Sequence, residues 1–69
     1  MSRLILLGQN IRKYRKAKGL KQAELALALN CTYEFISKVE NGQRYLSLRR
    51  LFDLADILNV DIKDLMNFK

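Results

Sequence analysis

The 69-residue sequence contains no histidine, no proline, no tryptophan and a single cysteine, Cys31. Histidine is the commonest general base, and a lone thiol forms neither an internal disulfide nor a zinc site. No serine, cysteine or carboxylate pair stands in a recognisable catalytic motif. The sequence therefore predicts a protein that is not an enzyme and that needs no metal or other cofactor.

Long apolar segments are also missing. Apolar runs such as Leu4 to Leu7 are far shorter than the roughly 18–20 residues that cross a bilayer. We therefore expect no membrane insertion and a cytoplasmic location. With 49% hydrophobic and 29% charged residues, the composition is typical of a globular chain with room for one core. We expect a single domain over residues 1–69, whose small core favours association with a second copy.

The net charge of +6 is distributed unevenly along the chain. Residues 1–21 include seven lysines and arginines and no acid, whereas the remainder has six bases and seven acids. A basic surface at one end is typical of nucleic-acid binding, because cations that neutralise phosphates release condensed counterions. A solvated helix face is the plainer interpretation of the same run, and charge alone leaves both open.

Apolar residues at helical spacing predict five helices and no strand. The first runs from about Arg3 to Lys18, between an N-cap at Ser2 and a stop at Gly19. Its apolar stripe places Arg15 at the flank, while Arg12, Lys13 and Lys16 face outward. Later helices are predicted over 22–29 and 33–40, then after the N-caps Ser47 and Asp61. The expected fold class is all-α, a compact five-helix bundle.

The predicted apolar faces assign most of the core. In the second helix they are Ala23, Leu25, Ala26 and Leu29, and in the third Ile36 and Val39. The fourth carries Leu48, Leu51, Phe52, Leu54, Ala55 and Leu58, and the fifth Ile62 and Leu65. Because Asn tolerates the left-handed conformation and Thr caps helices, the break at residues 30–32 predicts a tight turn. Two short helices joined in this way form a helix-turn-helix.

Three segments carry a resemblance to a known family. They are LGQNIRKYRKAKGLKQAELA at 7–26, FISKVENG at 35–42 and SLRRLFDLADILNV at 47–60. In this order and spacing they resemble the phage Cro/repressor-type (XRE-like) helix-turn-helix family. The resemblance implies a repressor-like DNA-binding domain whose third helix enters the major groove of double-stranded DNA.

The resemblance also implies which residues meet DNA. Base-reading positions are Thr32, Tyr33, Glu34, Ser37 and Lys38, and backbone-binding positions are Gln22, Asn41, Gln43 and Arg44. The basic residue before Gln22, Lys21, is expected to contact the backbone as well. The chemistry agrees, because lysine donates to guanine and glutamate accepts from cytosine. Glu34 could instead reject wrong sequences or orient Lys38. An ordinary surface residue remains the alternative at Gln22, and an ordinary solvated lysine at Lys38.

Arg15 and Glu40 match family positions that form an internal ion pair, so we expect both to be structural. A phosphate contact by Arg15 is the alternative. The chain departs from the family at Lys21, where a Ser or Thr cap is usual, and at Asn30, where Gly is usual. Cys31 stands at a position for a small buried residue, and we expect it to fill the core rather than to act in redox chemistry.

Apolar residues left over at the end of the chain predict a homodimer interface at Ile57, Val60, Met66 and Phe68. A monomer with an apolar tail is the alternative. The expected function is a small dimeric transcriptional regulator, a repressor or autoregulator, that binds a palindromic operator. Its rival is an antitoxin-type interaction module whose partner is a toxin. A membrane-surface peptide is disfavoured because the apolar stripe of the first helix is needed for the core.

Overall fold

The computed structural model describes residues 2–67, and within them the chain forms five α-helices and no strand. In chain order they are α1 (Arg3–Ala17), α2 (Gln22–Leu29), α3 (Tyr33–Glu40), α4 (Leu48–Leu58) and α5 (Ile62–Leu65). The predicted all-α class and the bounds of α2 and α3 are confirmed, while α1 ends one residue earlier than expected. None of these helices is long and apolar enough to span a membrane.

Side-chain caps start three of the helices as the sequence predicts. The hydroxyl oxygens of Ser2, Thr32 and Ser47 accept hydrogen bonds from the backbone N–H three residues later, at 3.2, 3.1 and 3.2 Å. These bonds satisfy donors that a helix N-terminus otherwise leaves without a partner. The starting points of α1, α3 and α4 are therefore set by local sequence.

The other two helices begin differently. Lys21 provides no side-chain cap for α2, as predicted, and the Glu24 carboxylate instead accepts the Lys21 N–H at 2.8 Å. At α5 the predicted N-cap position, Asp61, is right, but its side chain makes no capping hydrogen bond. The carboxylate of Asp64 accepts the Asp61 N–H at 3.2 Å. Each bond anchors the residue before the helix through an acid in the first turn.

The first four helices end with a residue in the left-handed region. These residues are Gly19, Asn30, Gly42 and Asn59, with φ of 76°, 59°, 74° and 57°. In each case the N–H of the next residue donates to the carbonyl five positions earlier, at 2.8–3.1 Å. The expected left-handed Asn30 is confirmed, whereas the same role of Asn59 was not anticipated.

The core lies where all five helices meet. Its most buried side chains are Ile11, Leu25, Ile36, Val39, Leu54 and Leu65. The prediction of burial is wrong for three residues, since Leu48 is 66% exposed, Phe52 is 50% exposed and Ala23 is exposed. The buried face of α4 is formed by Leu51, Leu54, Ala55 and Leu58. Phe52 lies beside this face on the solvent side, and Leu48 is the first residue of the helix.

The backbones of α1 and α3 approach closely at Gly8. A Cβ added there would lie 2.5 Å from the Val39 carbonyl oxygen and 2.6 Å from that of Glu40. Real side chains do not approach carbonyl oxygens so closely, so only glycine fits this crossing. Gly8 thus sets how near the end of α3 lies to α1.

Arg15 and Glu40 join the same two helices through a buried ion pair. The Arg15 Nε donates to Glu40 Oε2 at 2.6 Å, and Nη2 donates to Oε1 at 3.1 Å. The Arg15 Nη1 also donates to the Leu20 carbonyl at 2.7 Å. The side chains are only 8% and 1% exposed, so the bidentate geometry offsets the cost of burying both charges.

We expect replacement of Gly8 by alanine to destabilise the protein. In a helix interior, alanine is ordinarily more stable than glycine by about 0.5–1 kcal/mol. At this crossing the added methyl group overpacks the contact with α3, and the free energy of unfolding should fall by about 1–3 kcal/mol. Urea denaturation measures the change. Gln9→Ala at the neighbouring exposed position is the control, and a stabilised Gly8→Ala would contradict the close approach.

Removing one partner of the ion pair should cost more than removing both. We expect Arg15→Met and Glu40→Leu each to lower the free energy of unfolding by about 3–5 kcal/mol, because a buried charge remains without a partner. The double variant should recover most of this loss. Thermal melting followed by circular dichroism tests the pattern, with Arg12→Met on the exposed face of α1 as the control. Additive losses in the double variant would argue against the pair.

Candidate nucleic-acid interface

The α2-turn-α3 unit presents one side of α3 to solvent. Residues 30–32 form the turn, and α3 packs against both α1 and α2. Its inner face is anchored by Ile36 and Val39, which are 0% and 2% exposed. The outer face of α3 is therefore held in a fixed orientation by the core and is free to meet a partner.

The residues expected to read bases lie at the start and on the outer face of α3. Thr32, Tyr33, Glu34 and Lys38 are exposed, and Ser37 is half-buried. Because the Thr32 oxygen accepts the Phe35 N–H, its hydroxyl hydrogen stays free to donate. Arg15–Glu40 is the only ion pair within 4.0 Å in residues 2–67. Glu34 and Lys38 are therefore not paired with each other, and both remain available.

Gln22 lies at the N-terminus of α2, beside the buried ion pair. Its Nε2 donates to Glu40 Oε1 at 3.0 Å, which fixes the direction of the amide and leaves its second hydrogen free. Lys21 is exposed, and it provides no side-chain cap for the first turn of α2. The ion pair thereby connects the core to an expected backbone contact.

The loop after α3 carries the other residues expected to bind the DNA backbone. Asn41, Gln43 and Arg44 are all exposed. The intervening Gly42 has φ of 74°, and a Cβ there would lie 2.6 Å from a side-chain carbon of Ile5. The start of the loop is therefore held against α1, which places these side chains beside the end of α3.

Two residues at this surface, Phe35 and Arg50, are not among those predicted to contact DNA. Phe35 is half-buried, and its ring centroid lies 5.4 Å from the Arg44 guanidinium carbon and 5.2 Å from that of Arg50. The sequence showed only an apolar residue left over on α3. An aromatic residue next to the outward face of α3, with arginines in the loop and helix that follow, is the only signal that the sequence offers.

Cys31 lies in the turn and packs partly buried against the core, as expected of a small filler. Burial raises the pKa of the Cys31 thiol, and the nearby Arg50 guanidinium only partly opposes this shift. The thiol is therefore held in its neutral form, in which it is a poor nucleophile. Within residues 2–67 no group of three or more potential metal-ligating side chains occurs.

The residues expected to form a dimer interface are not equally available. Met66 is 46% exposed, whereas Ile57 and Val60 are half-buried and pack against the core. Phe68 lies outside the described residues. The exposed Leu48 and Phe52 stand four positions apart on one face of α4. Neither Leu48 nor Phe52 is among the residues predicted to form the interface.

Comparison with known proteins identifies relatives of the whole domain. A family model described as "Helix-turn-helix" matches residues 11–65. The ImmF control region 10 kDa protein of Bacillus phage phi105 is 39% identical over 56 residues, which are 81% of this chain and 62% of that protein. Control protein C.BamHI of Bacillus amyloliquefaciens is 34% identical over 65 residues, covering 93% of this chain and 80% of that protein. The chain thus spans less than two thirds of the phage protein but most of the control protein.

Solved structures show the same fold. The restriction-modification controller protein C.AhdI from Aeromonas hydrophila has a TM-score of 0.85 and 37% identity, over 90% of this chain and 94% of that chain. Hydroxypropylphosphonic acid epoxidase from S. wedmorenis also has a TM-score of 0.85, at 27% identity, but only 33% of that chain is covered. The curated relatives are named as regulators or control proteins, which agrees with the prediction that this protein is not an enzyme. The chain belongs to the XRE-type helix-turn-helix family of transcriptional regulators.

Proposed function

We propose that this protein binds double-stranded DNA sequence-specifically, as a small dimeric transcriptional regulator with α3 in the major groove. The observation that carries the proposal is the arrangement of α3. Its inner face is fixed in the core through Ile36 and Val39, and its outer face exposes Tyr33, Glu34 and Lys38. An α-helix fits the width of the major groove, where base edges present a distinct pattern of donors and acceptors.

The unpaired charges on α3 support base reading. An exposed Lys38 without a carboxylate partner is free to donate to guanine O6 and N7, and Glu34 is free to accept from cytosine N4. Tyr33 and Thr32 have the chemistry to contact a phosphate or a thymine methyl group. Ser37 is half-buried, so its hydroxyl reaches less far than the side chains beside it.

Two sets of backbone contacts flank this helix in the proposed complex. Lys21 and the oriented amide of Gln22 contact one phosphate run at the N-terminus of α2. Asn41, Gln43 and Arg44 contact another at the loop after α3. Such contacts set the register of a helix in the groove and carry little sequence information.

Self-association completes the proposal. A two-fold dimer reads two half-sites about 34 Å apart, so its operator is an inverted repeat. The exposed apolar side chains Leu48, Phe52 and Met66 support an interface on the α4–α5 side. Ile57, Val60 and Phe68, the other members of the expected interface, belong to the same part of the chain.

An antitoxin function has no support among the curated relatives reported above, which are named as a control region protein and a control protein. A toxin partner is therefore not part of the proposal. An operator-binding protein acts where the DNA is, which agrees with the cytoplasmic location expected from the sequence.

Selection of bound sequences from a random duplex pool tests the proposal. We expect enrichment of an inverted repeat with half-site centres about 10 base pairs apart, at both low and moderate salt. With Lys38→Ala the preference at one base pair of each half-site should fall by about 1–3 kcal/mol. Lys63→Ala removes an equal charge from an exposed position of α5 and should keep the wild-type motif.

Two results would count against this function. One is binding that vanishes with salt and enriches no motif, which is the behaviour of non-specific attraction to phosphate. The other is a Lys38→Ala variant that selects the unchanged motif, because Lys38 would then read no base.

The dimer is tested independently of DNA. We expect Phe52→Glu to shift the protein toward the monomer in sedimentation equilibrium and to weaken binding to the inverted repeat more than to a single half-site. The reason is that the interface would bury a carboxylate. Leu27→Glu is the matched control, because Leu27 is 83% exposed on α2. If the two variants had equal effects, or if neither had an effect, Phe52 on α4 would not belong to the interface.

A further inference from the structure

Two arginines converge on one aromatic ring at the edge of the proposed DNA surface. The guanidinium carbons of Arg44 and Arg50 lie 5.4 and 5.2 Å from the centroid of Phe35. Both distances are within the roughly 6 Å at which a cation is attracted to a ring face. Neither arginine has a carboxylate within 4.0 Å, because Arg15–Glu40 is the only ion pair in residues 2–67. Two positive charges that no carboxylate neutralises therefore contact the same aromatic ring.

The three side chains differ in how firmly they are held. Phe35 is half-buried and packs against the core. Arg50 extends from the first turn of α4, and its Nη1 is buried without a hydrogen-bond partner. Arg44 belongs to the loop between α3 and α4 and is exposed. The ring is thus held by its packing against the core, whereas the Arg44 side chain is exposed and able to contact a partner.

An arginine that is oriented before binding binds a phosphate at lower entropic cost. A free arginine side chain loses rotamer freedom when it contacts DNA. Stacking on Phe35 restricts Arg44 in the unbound protein, so less freedom remains to be lost. Arg50 adds a second positive charge at the same ring, and a phosphate placed beside the pair would relieve their repulsion.

We propose that Phe35 is a positioning residue that holds the Arg44 guanidinium for contact with one DNA backbone phosphate beside α3, while Arg50 adds a second positive charge at the same ring. Phe35 itself touches no DNA in this proposal. The inference rests on the proposed DNA-binding function and adds to it a residue that acts through another. Because Phe35 belongs to α3 and Arg44 to the loop, binding of α3 in the major groove would place the Arg44 charge next to the DNA backbone.

The test measures affinity against salt concentration, using the duplex selected above and a scrambled duplex of equal length. The logarithm of the binding constant falls with the logarithm of salt by about 0.9 for each phosphate neutralised. We expect Arg44→Gln to reduce this slope by about that amount on both duplexes. Phe35→Leu should produce a similar reduction although it removes no charge. Phe35→Tyr, which keeps the ring, should retain the wild-type slope.

Additional variants separate positioning from structural support. In the double variant Phe35→Leu/Arg44→Gln the salt dependence of binding should fall no further than in Arg44→Gln alone, because both substitutions remove the same phosphate contact. Melting temperatures report folding, and Lys63→Gln on α5 controls for charge loss. If Phe35→Leu does not fold, Arg44→Lys provides the test without touching the core. Lysine keeps the charge but stacks less well on a ring, so we expect it to bind both duplexes more weakly than the wild type.

The outcomes are distinct. A wild-type slope in a folded Phe35→Leu, or an additive loss in the double variant, would overturn the positioning role. Wild-type affinity of Arg44→Lys would overturn it as well, because the charge would suffice without stacking. A wild-type protein that binds neither duplex would instead refute the proposed function, which distinguishes failure of the function from failure of the inference.

Discussion

The crossing of α1 and the end of α3 is the contact on which the rest of this structure depends. At Gly8 the absence of a side chain lets the two backbones approach closely. About two turns further along α1, Arg15 joins the same helices through its buried ion pair with Glu40. Glu40 also accepts a hydrogen bond from Gln22 at the start of α2. One carboxylate therefore connects three helices, and its position determines where both ends of the proposed DNA surface lie.

Local signals account for most of the helices. Hydroxyl caps at Ser2, Thr32 and Ser47, and a left-handed residue at Asn30, act within a few residues and are readable without the fold. Periodicity was less reliable in α4, where Phe52 and Leu48 were assigned to the core and are exposed. An apolar stripe indicates which side of a helix is buried, but the neighbouring helices decide how wide the buried face is.

The outer face of α3 was predictable because it is the complement of Ile36 and Val39 on a single helix. The cluster of Phe35, Arg44 and Arg50 was not, because its members come from α3, a loop and α4. Their proximity depends on the path of the loop after Gly42 and on the packing of α4. No spacing in the sequence encodes a distance between side chains that different elements carry.

The sequence by itself determined the helix-turn-helix, its caps, the polar face of α3 and the concentration of positive charge in residues 1–21. These properties follow from propensities and periodicities that act over one or two turns. The tertiary structure decided which apolar side chains stay exposed, which amide Glu40 orients and which ring the two arginines share. Those outcomes depend on how separate helices pack, and packing is settled by the whole core rather than by any one segment.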